Sequence, residues 1–230
     1  MGKQLTDCRQ WVRWTVLVLF VCAGCGSREP AALVQPPATA PQPSQLAPNQ
    51  AIAYVRTVTL DGLPLPGVRP VATTTPNAFD KPLATGNPTD DAGEGAMVIP
   101  NDTRLYVRAW DPELKYFPNN FYDVPPMGAS ETPVMEIVMV RGASLDVALM
   151  RPDGTPVADT NVGIMMFHPS KGPWWPSEAD TDETGTVHFP ALPAGKYMIR
   201  LKALGMDRID LPDVDLPPGG HTNLGPVTLQ

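Results

Sequence analysis

The chain has 230 residues, a formal net charge of −7 and 29 prolines, a proline content well over twice the average usage of about 5%. Long α-helices are excluded from most of it, because an interior proline removes a backbone donor and clashes with the preceding turn. The acidic balance and the lack of a basic stripe exclude a nucleic-acid partner.

The N-terminal residues 1–24 are predicted to be a signal peptide. Lys3 and Arg13 belong to a basic start, and an uncharged run, WTVLVLFVCAGCGS, then extends from position 14 to position 27. This run is too short for a helix that crosses a bilayer, which needs about 20 residues. It has instead the length of the apolar part of a secretory signal, about 7–15 residues.

The uncharged run contains Cys22-Ala23-Gly24-Cys25, which resembles the lipobox of bacterial lipoproteins. In that family the signal is cut before the last cysteine, whose thiol carries a diacylglycerol. Cys22 stands where leucine is usual. The resemblance implies lipidation at Cys25 and an exported protein anchored to a bacterial membrane, on its periplasmic or cell-surface side. The alternative is an ordinary secretory signal that happens to contain cysteine.

The mature chain is expected to hold its fold without disulfides. Of the three cysteines, Cys8 and Cys22 would leave with the signal peptide and Cys25 would carry the lipid. Residues 25–50 are predicted to be the lipidated cysteine followed by a disordered linker of proline, alanine and glutamine. At about 3.1 Å per residue, this linker could hold a folded part up to ~75 Å from the membrane.

The rest of the chain repeats itself at an offset of 92 residues. Without gaps, 13 of 88 aligned positions are identical, and the identities cluster at turn residues. Asp61-Gly62 aligns with Asp153-Gly154, and the acidic turn TDDAG at 89–93 aligns with TDETG at 181–185. Turns constrain residue identity strongly, because Gly, Asp and Pro each supply a special backbone geometry. The chain therefore contains two copies of one module.

Each copy has the alternating pattern of half-buried β-strands. After the second acidic turn, KYMIRLKA alternates Tyr197, Ile199 and Leu201 with basic residues, and RLYVRAW alternates similarly in the first copy. Several short strands separated by turns favour a β-sandwich. The predicted fold is all-β, with two tandem sandwiches at residues 51–141 and 142–230.

The second copy resembles the carboxypeptidase regulatory-like domain, a transthyretin-like (prealbumin-like) β-sandwich. Three elements carry the resemblance: Asp-Gly-Thr-Pro-Val at 153–157, Thr-Asp-Glu-Thr-Gly at 181–185 and Leu-Pro-Ala-Gly-Lys-Tyr at 192–197. The first copy has Pro-Asn-Asp-Thr at 100–103 in place of the third element. The resemblance implies two prealbumin-like sandwiches with a structural or interaction role, and it implies no particular ligand.

No catalytic, cofactor or metal site is predicted. The stretch DTDETG at 180–185 has the outline of a calcium loop, but Ala191 stands at the twelfth position, where a bidentate acid is required, so a plain turn is favoured. His168, His188 and His221 follow no metal-binding spacing, and copper bound by His168 with nearby methionines is a minor alternative. No nucleophile elbow, P-loop or dinucleotide glycine pattern occurs, which disfavours an enzyme.

Trp174 and Trp175 are the candidate ligand-binding residues. They lie between prolines in HPSKGPWWPSEAD, residues 168–180, which we predict to be a loop. Two exposed tryptophans would form an apolar platform that stacks on sugars or docks a partner. The alternative is that one or both cap the end of the sandwich. The Tyr and Phe residues of a second aromatic cluster, 110–123, are expected to pack in the core or between the modules.

The sequence as a whole predicts an exported, non-enzymatic lipoprotein of the bacterial cell envelope. Its partners would be the membrane, through the lipid on Cys25, and an envelope protein bound by a structural or interaction module. The alternative is a carbohydrate-binding lipoprotein that uses Trp174 and Trp175 on an envelope polysaccharide. The exposure of the two tryptophans distinguishes these hypotheses.

Overall fold

The computed structural model describes residues 46–77, 80–128, 131–169 and 172–229, without the side chain of Trp175. The predicted signal peptide, Cys25 and the linker up to residue 45 lie outside the described residues. Within the described ranges there are strands and turns but no helix, so these ranges contain no helix that could cross a membrane.

Fifteen β-strands make up the described part of the chain. Those before residue 142 are β1 (Gln50–Thr59), β2 (Arg69–Thr73), β3 (Ala84–Thr85), β4 (Glu94–Pro100), β5 (Leu105–Trp110), β6 (Tyr116–Pro118), β7 (Tyr122–Val124) and β8 (Val134–Arg141). Those after it are β9 (Ala143–Met150), β10 (Asn161–His168), β11 (Gly172–Asp180), β12 (Thr186–Leu192), β13 (Gly195–Ala203), β14 (Ile209–Leu216) and β15 (His221–Thr228). The all-β prediction is confirmed.

The strands form four sheets, in the orders β4-β1-β8-β6, β3-β2-β5-β7, β12-β9-β15 and β11-β10-β13-β14. The first two sheets use strands that precede residue 142, and the last two use strands that follow it. β1 pairs with β8 and β9 with β15 in parallel, whereas the other neighbours are antiparallel. The two halves of the chain therefore share one strand arrangement, with β9 in the place of β1 and β13 in that of β5.

Each half has its own hydrophobic core. Ile99, Leu105 and Ile137 are fully buried in the first core, and Phe189 and Leu201 are fully buried in the second. Strand β9 alternates buried and half-buried residues along its whole length, because successive side chains of a strand point to opposite faces. Two sheets that enclose such a core make a β-sandwich. That each half is a domain able to fold by itself stays a prediction.

The repeat reappears in the backbone hydrogen bonds of the acidic turns. The N–H of Thr57 donates to the carbonyl of Gly93 at 2.8 Å, and the N–H of Leu149 donates to the carbonyl of Gly185 at 2.8 Å. These glycines have φ angles of +74° and +77°. A Cβ atom would lie 2.4 Å from the carbonyl oxygen of Thr57 at the first glycine and 2.6 Å from that of Leu149 at the second. Both positions require glycine, because the backbone angle and the available space exclude a side chain.

A buried threonine fixes each acidic turn to the segment that enters the next sheet. Thr89 Oγ1 accepts the N–H of Val68 at 3.1 Å, and Thr181 Oγ1 accepts the N–H of Thr160 at 3.0 Å. The two threonines are 5% and 4% exposed. A buried N–H group needs a partner, so the threonine of the repeated turn has the same structural task in both halves.

A single residue, Gly142, separates the last strand of the first half from the first strand of the second. A Cβ atom on it would lie 2.5 Å from the ring of Phe117, which is itself buried. Phe121 of the first half packs against the core of the second half. The halves are therefore joined by packed side chains and a minimal connection, where independent domains usually have a longer linker.

The stretch at 168–180, which the sequence predicts to be a loop, is mostly strand. β11 pairs with β10, with a bulge between Met166 and Phe167. β11 lies at the edge of its sheet, where proline is tolerated because one row of backbone donors needs no partner strand. The prolines at 173 and 176 were therefore the misleading signal.

Candidate functional site

The acidic turns use their carboxylates to hold the backbone. Asp182 Oδ1 accepts the N–H groups of Thr184 and Thr186 at 2.8 and 2.9 Å and the hydroxyl of Thr184 at 2.6 Å. The hydroxyl bond is the main cause of a lowered pKa for Asp182. Asp90 Oδ1 accepts two N–H groups of its own turn at 3.0 and 2.9 Å. These bonds support a plain turn, and no three His, Cys, Asp or Glu side chains of the described residues are grouped to hold a metal ion.

Two of the three histidines lie closer together than their spacing in the sequence indicates. His188 Nδ1 and His221 Nε2 both contact the carboxylate of Asp146, the latter at 3.3 Å. Ser144 Oγ lies 3.0 Å from His221 Nδ1. Sequence reasoning missed this exposed cluster, because β12 and β15 are far apart in the chain and meet only as the two neighbours of β9.

Trp174 is buried, with 3% of its surface exposed, and belongs to the core of the second half. Its ring lies 6.4 Å from that of His168. Trp174 is therefore too buried to form an open platform, and the ligand-binding role predicted for it stays a prediction. The side chain of Trp175 is outside the described part of the structure, so a ligand-binding role for Trp175 stays a prediction.

A cavity of about 390 Å³, which we call the junction cavity, lies on the outer face of sheet β3-β2-β5-β7. On β5, the side chain of Val107 belongs to the first core. Arg108 and Trp110 lie one and three residues further along the strand, so their side chains point to the opposite face. Both line the cavity. Their cross-strand neighbours on β2 are Val71, opposite Arg108, and Arg69, opposite Trp110. These four residues line the side of the cavity that the sheet provides.

The remaining walls of the junction cavity come from both halves of the chain. The segment after β5 is held by Asp111, whose carboxylate accepts three backbone N–H groups at 2.9, 3.0 and 2.9 Å. This segment leads into Tyr116 and Phe117, which line the cavity, and the second half contributes Trp174 and Pro193. Aromatic and aliphatic side chains therefore surround much of the space.

Arg108 is the least satisfied polar group of the junction cavity. It is 5% exposed, and its guanidinium carbon lies 5.5 Å from the ring centre of Phe121 and 5.4 Å from that of Trp174. Nη2 donates to the carbonyl of Pro76 at 2.7 Å. Nε and Nη1 have no hydrogen-bond partner among the described residues. The two rings compensate the buried cation in part, but the unpaired donors leave it short of partners.

Burial lowers the pKa of Arg108 to about 10, against the opposing effect of the nearby charge of Asp80. Arg108 is therefore still a cation at neutral pH. A fixed positive charge between aromatic rings attracts an anionic group and can pair with it at low cost in reorganisation. Sequence reasoning missed Arg108, because an arginine on an alternating strand has the pattern of a solvent-facing residue.

Comparisons with known proteins found no matching protein-family model and no matching curated protein. Among solved structures, GBS52, the minor pilin of Streptococcus agalactiae, is 12% identical, over 78% of this chain and 95% of that chain, with a TM-score of 0.42. A streptococcal ancillary pilin is 13% identical, over 77% and 62%, with a TM-score of 0.36. The Bacillus anthracis TIE protein is 15% identical, over 79% and 34%, with a TM-score of 0.33.

This chain thus spans 34% of the length of the TIE protein and 62% of that of the ancillary pilin. The TM-scores of these similar structures, 0.33 to 0.42, are too low to support any functional conclusion for this chain. The β-sandwich architecture rests on the sheets and cores described above.

Proposed function

We propose that the protein is an exported lipoprotein, anchored to a bacterial membrane by a lipid on Cys25, that acts as a non-catalytic structural and protein-interaction module of the cell envelope. Its folded part would be two carboxypeptidase regulatory-like sandwiches held away from the membrane by the linker at 25–50. The observation that carries the interaction role is the junction cavity, where Arg108 is buried without a full set of partners.

The junction between the halves supports a pre-formed binding module. Gly142 is the sole connection between β8 and β9, and Phe121 packs from the first half onto the second core. Both features hold the walls of the cavity in place before any partner arrives. A pre-formed site loses less conformational entropy on binding than a site that must first be ordered.

The hydrogen bonds that the carboxylates of Asp111 and Asp182 accept support a non-catalytic role. Asp111, beside the cavity, accepts three backbone N–H groups, and Asp182 accepts a hydroxyl and two N–H groups within its own turn. A general base needs an oxygen lone pair directed at the proton that it removes. Carboxylates that are committed to the backbone are poor candidates for that task.

The lipid anchor is tested by expressing the full chain in a bacterial host with an alkyne analogue of palmitate and following the label after membrane fractionation. We expect the wild-type protein to be labelled and to sediment with membranes. Cys25→Ser should abolish the label, because the acceptor thiol is lost. Cys8→Ser is the matched control, since Cys8 lies outside the lipobox-like stretch and is predicted to leave with the signal peptide. It should be labelled normally.

Two outcomes would contradict the anchor. One is equal labelling of the Cys25→Ser variant and the wild type. The other is a wild-type protein that is exported, carries no label and remains in the soluble fraction, as the ordinary secretory signal predicts.

A further inference from the structure

We propose that the junction cavity binds a carboxylate carried by an apolar peptide segment of a partner protein, with Arg108 as the residue that pairs with it. This inference rests on the proposed function and specifies the partner chemistry of its interaction site. The second half of the chain contains the same arrangement with the carboxylate in place, and this internal precedent is the main argument.

Arg200 is the residue that aligns with Arg108 at the 92-residue offset. Its Nε and Nη2 donate to the two carboxylate oxygens of Asp210 at 2.7 and 2.8 Å. Its guanidinium carbon lies 5.1 Å from the ring centre of Phe167. An arginine at this position of the repeat therefore combines an aromatic ring with a carboxylate that it holds by two hydrogen bonds.

In the first half the arginine again lies against aromatic rings, here those of Phe121 and Trp174, and the carboxylate is replaced. Asp210 lies opposite Arg200 in the pairing of β13 with β14. The corresponding pairing of β5 with β7 ends at Val107 and Tyr122, so the residue that follows in this register, opposite Arg108, is Phe121. Phe121 supplies a ring to Arg108 and has no carboxylate to offer.

The acids nearest to Arg108 do not replace the missing partner. Asp111 is occupied by three backbone N–H groups. Asp80 accepts the hydroxyl of Thr75 and an N–H of Asn77. Within the described residues neither carboxylate forms a hydrogen bond or ion pair with Arg108. A buried cation with unpaired donors is costly, and a carboxylate from outside the chain would supply the missing acceptor.

The lining of the junction cavity favours a peptide over a sugar. Val71, Trp110, Tyr116, Trp174 and Pro193 present aromatic and aliphatic surface. A sugar exposes hydroxyls around its ring and needs many polar groups to bind them. An apolar side chain next to a carboxylate fits a lining that is mostly apolar and in which Arg69, Lys81 and Arg108 are cationic. Of these three cations, Arg108 is the buried one with unpaired donors. The volume of about 390 Å³ lies within the usual range for ligand sites, roughly 300–1,000 Å³. The C-terminal residue of a chain, or an acidic residue beside an apolar one, has this chemistry.

The test uses the detergent-solubilised lipoprotein and two matched probes, N-acetyl-phenylalanine and N-acetyl-phenylalaninamide, with calorimetry as the measurement. The two probes have nearly the same shape, and only the first has a carboxylate. We expect the acid to bind at least about tenfold more tightly than the amide, since a hydrogen bond to a charged group typically changes affinity by this order. Arg108→Met should remove the preference for the acid.

Arg200→Met is the matched control, because Arg200 already holds Asp210 and does not line the junction cavity. This variant should keep the preference for the acid. The indole N–H signals of the wild-type protein provide a second measurement by NMR that does not depend on the folding of a variant. The signals of Trp110 and Trp174 should shift with the acid and not with the amide.

The proposal is overturned if the acid and the amide bind equally, if neither binds, or if a folded Arg108→Met variant keeps the preference. Tighter binding of glucuronate than of N-acetyl-phenylalanine would replace the peptide by an acidic carbohydrate. None of these results bears on lipid labelling at Cys25, so failure of this inference is distinguishable from failure of the proposed anchor.

Discussion

The two halves of the chain agree in their turns and differ on the outer face of one sheet. Gly93 and Gly185 have the same positive φ and face the same carbonyl at the 92-residue offset. Arg108 and Arg200 share that offset too. Arg200 is paired with Asp210, whereas Arg108 is buried beside the junction cavity and has no carboxylate partner among the described residues. The fold therefore fixes the turns of the repeat and leaves this face free to diverge.

The difference between the arginines indicates where the first half has acquired a task of its own. In the second half Arg200 and Asp210 satisfy each other, and the hydrogen bond to Asp210 raises the pKa of Arg200. In the first half burial lowers the pKa of Arg108. An unpaired buried charge reduces stability, and a binding role offers a physical reason for this chain to retain it.

The largest expected effect tests the part that the halves share. Gly185→Ala should lower the free energy of unfolding by about 2–4 kcal/mol, because an L residue is disfavoured at positive φ and the added methyl group would crowd the carbonyl of Leu149. Gly154→Ala is the control: its φ is also positive, but no atom lies within 4 Å of the added carbon, so about 1–2 kcal/mol is expected. Urea unfolding followed by tryptophan fluorescence measures both. Equal losses would contradict the steric argument.

The next effect separates the two turn threonines. Thr89 Oγ1 accepts from the N–H of Val68, donates to the carbonyl of Leu65 at 2.9 Å and contacts the hydroxyl of Thr57 at 3.3 Å. Among the described residues, Thr181 Oγ1 bonds only the backbone of Thr160, at 3.0 and 3.3 Å. Replacing each with valine should lower stability by about 1–3 kcal/mol, and Thr89→Val should cost more because it also leaves a buried hydroxyl without its neighbour. Urea unfolding measures both losses of stability. A larger loss for Thr181→Val than for Thr89→Val would contradict the expected order.

A third substitution should act in opposite directions in the two halves. Arg108→Met should raise the free energy of unfolding by about 1–2 kcal/mol, because replacing a poorly paired buried charge with an apolar side chain is often stabilising. Its lowered pKa points the same way, since the folded state holds the proton less firmly than the unfolded state. Arg200→Met should lower stability slightly through loss of the Asp210 pair. Thermal unfolding of both variants checks the two signs. A marked loss of stability in Arg108→Met would mean that Arg108 is already well paired in the folded protein.

The smallest expected effect concerns the dependence of stability on acidic pH. Thr184→Ala gives the second turn the residue that the first turn has at Ala92, and it removes the hydroxyl that lowers the pKa of Asp182. A lowered carboxyl pKa contributes stability above the unfolded value of about 3.9 that is lost as the pH falls through the folded value. The variant should therefore be less stable than the wild type near pH 6 and should lose less on acidification. Unfolding curves between pH 6 and pH 2 measure this. Glu183→Gln in the same turn is the control. If Thr184→Ala loses as much stability on acidification as the wild type does, the role given to the Thr184 hydroxyl is wrong.

Much of the fold could be predicted because its signals are local. The alternation of Tyr197, Ile199 and Leu201 with polar residues on β13 predicts a half-buried strand. The two acidic turns both contain glycine because neither turn has room for a side chain at that position. The stretch at 168–180 was wrongly predicted to be a loop, because proline excludes only paired positions and β11 lies at an edge.

The site was harder to predict because its parts are distant in the chain. Trp174 had two predicted roles, and its burial is decided by packing against the second core. One difference between Arg108 and Arg200 is the residue that lies opposite, Phe121 or Asp210, and this register appears in no single stretch of sequence. The contact of His188 and His221 with Asp146 has the same origin, since three strands must be adjacent before the side chains meet.

The most direct test of the account is an NMR measurement of the Nε–H groups of the arginines in the detergent-solubilised lipoprotein, with and without N-acetyl-phenylalanine. The account predicts that the signal of Arg108 shifts and that its exchange with water slows, because Nε gains a carboxylate partner. The signal of Arg200 should not change, since Asp210 already accepts its hydrogen bond. An unchanged Arg108 signal at saturating probe would contradict the central claim that this arginine is kept unpaired for a carboxylate from a partner.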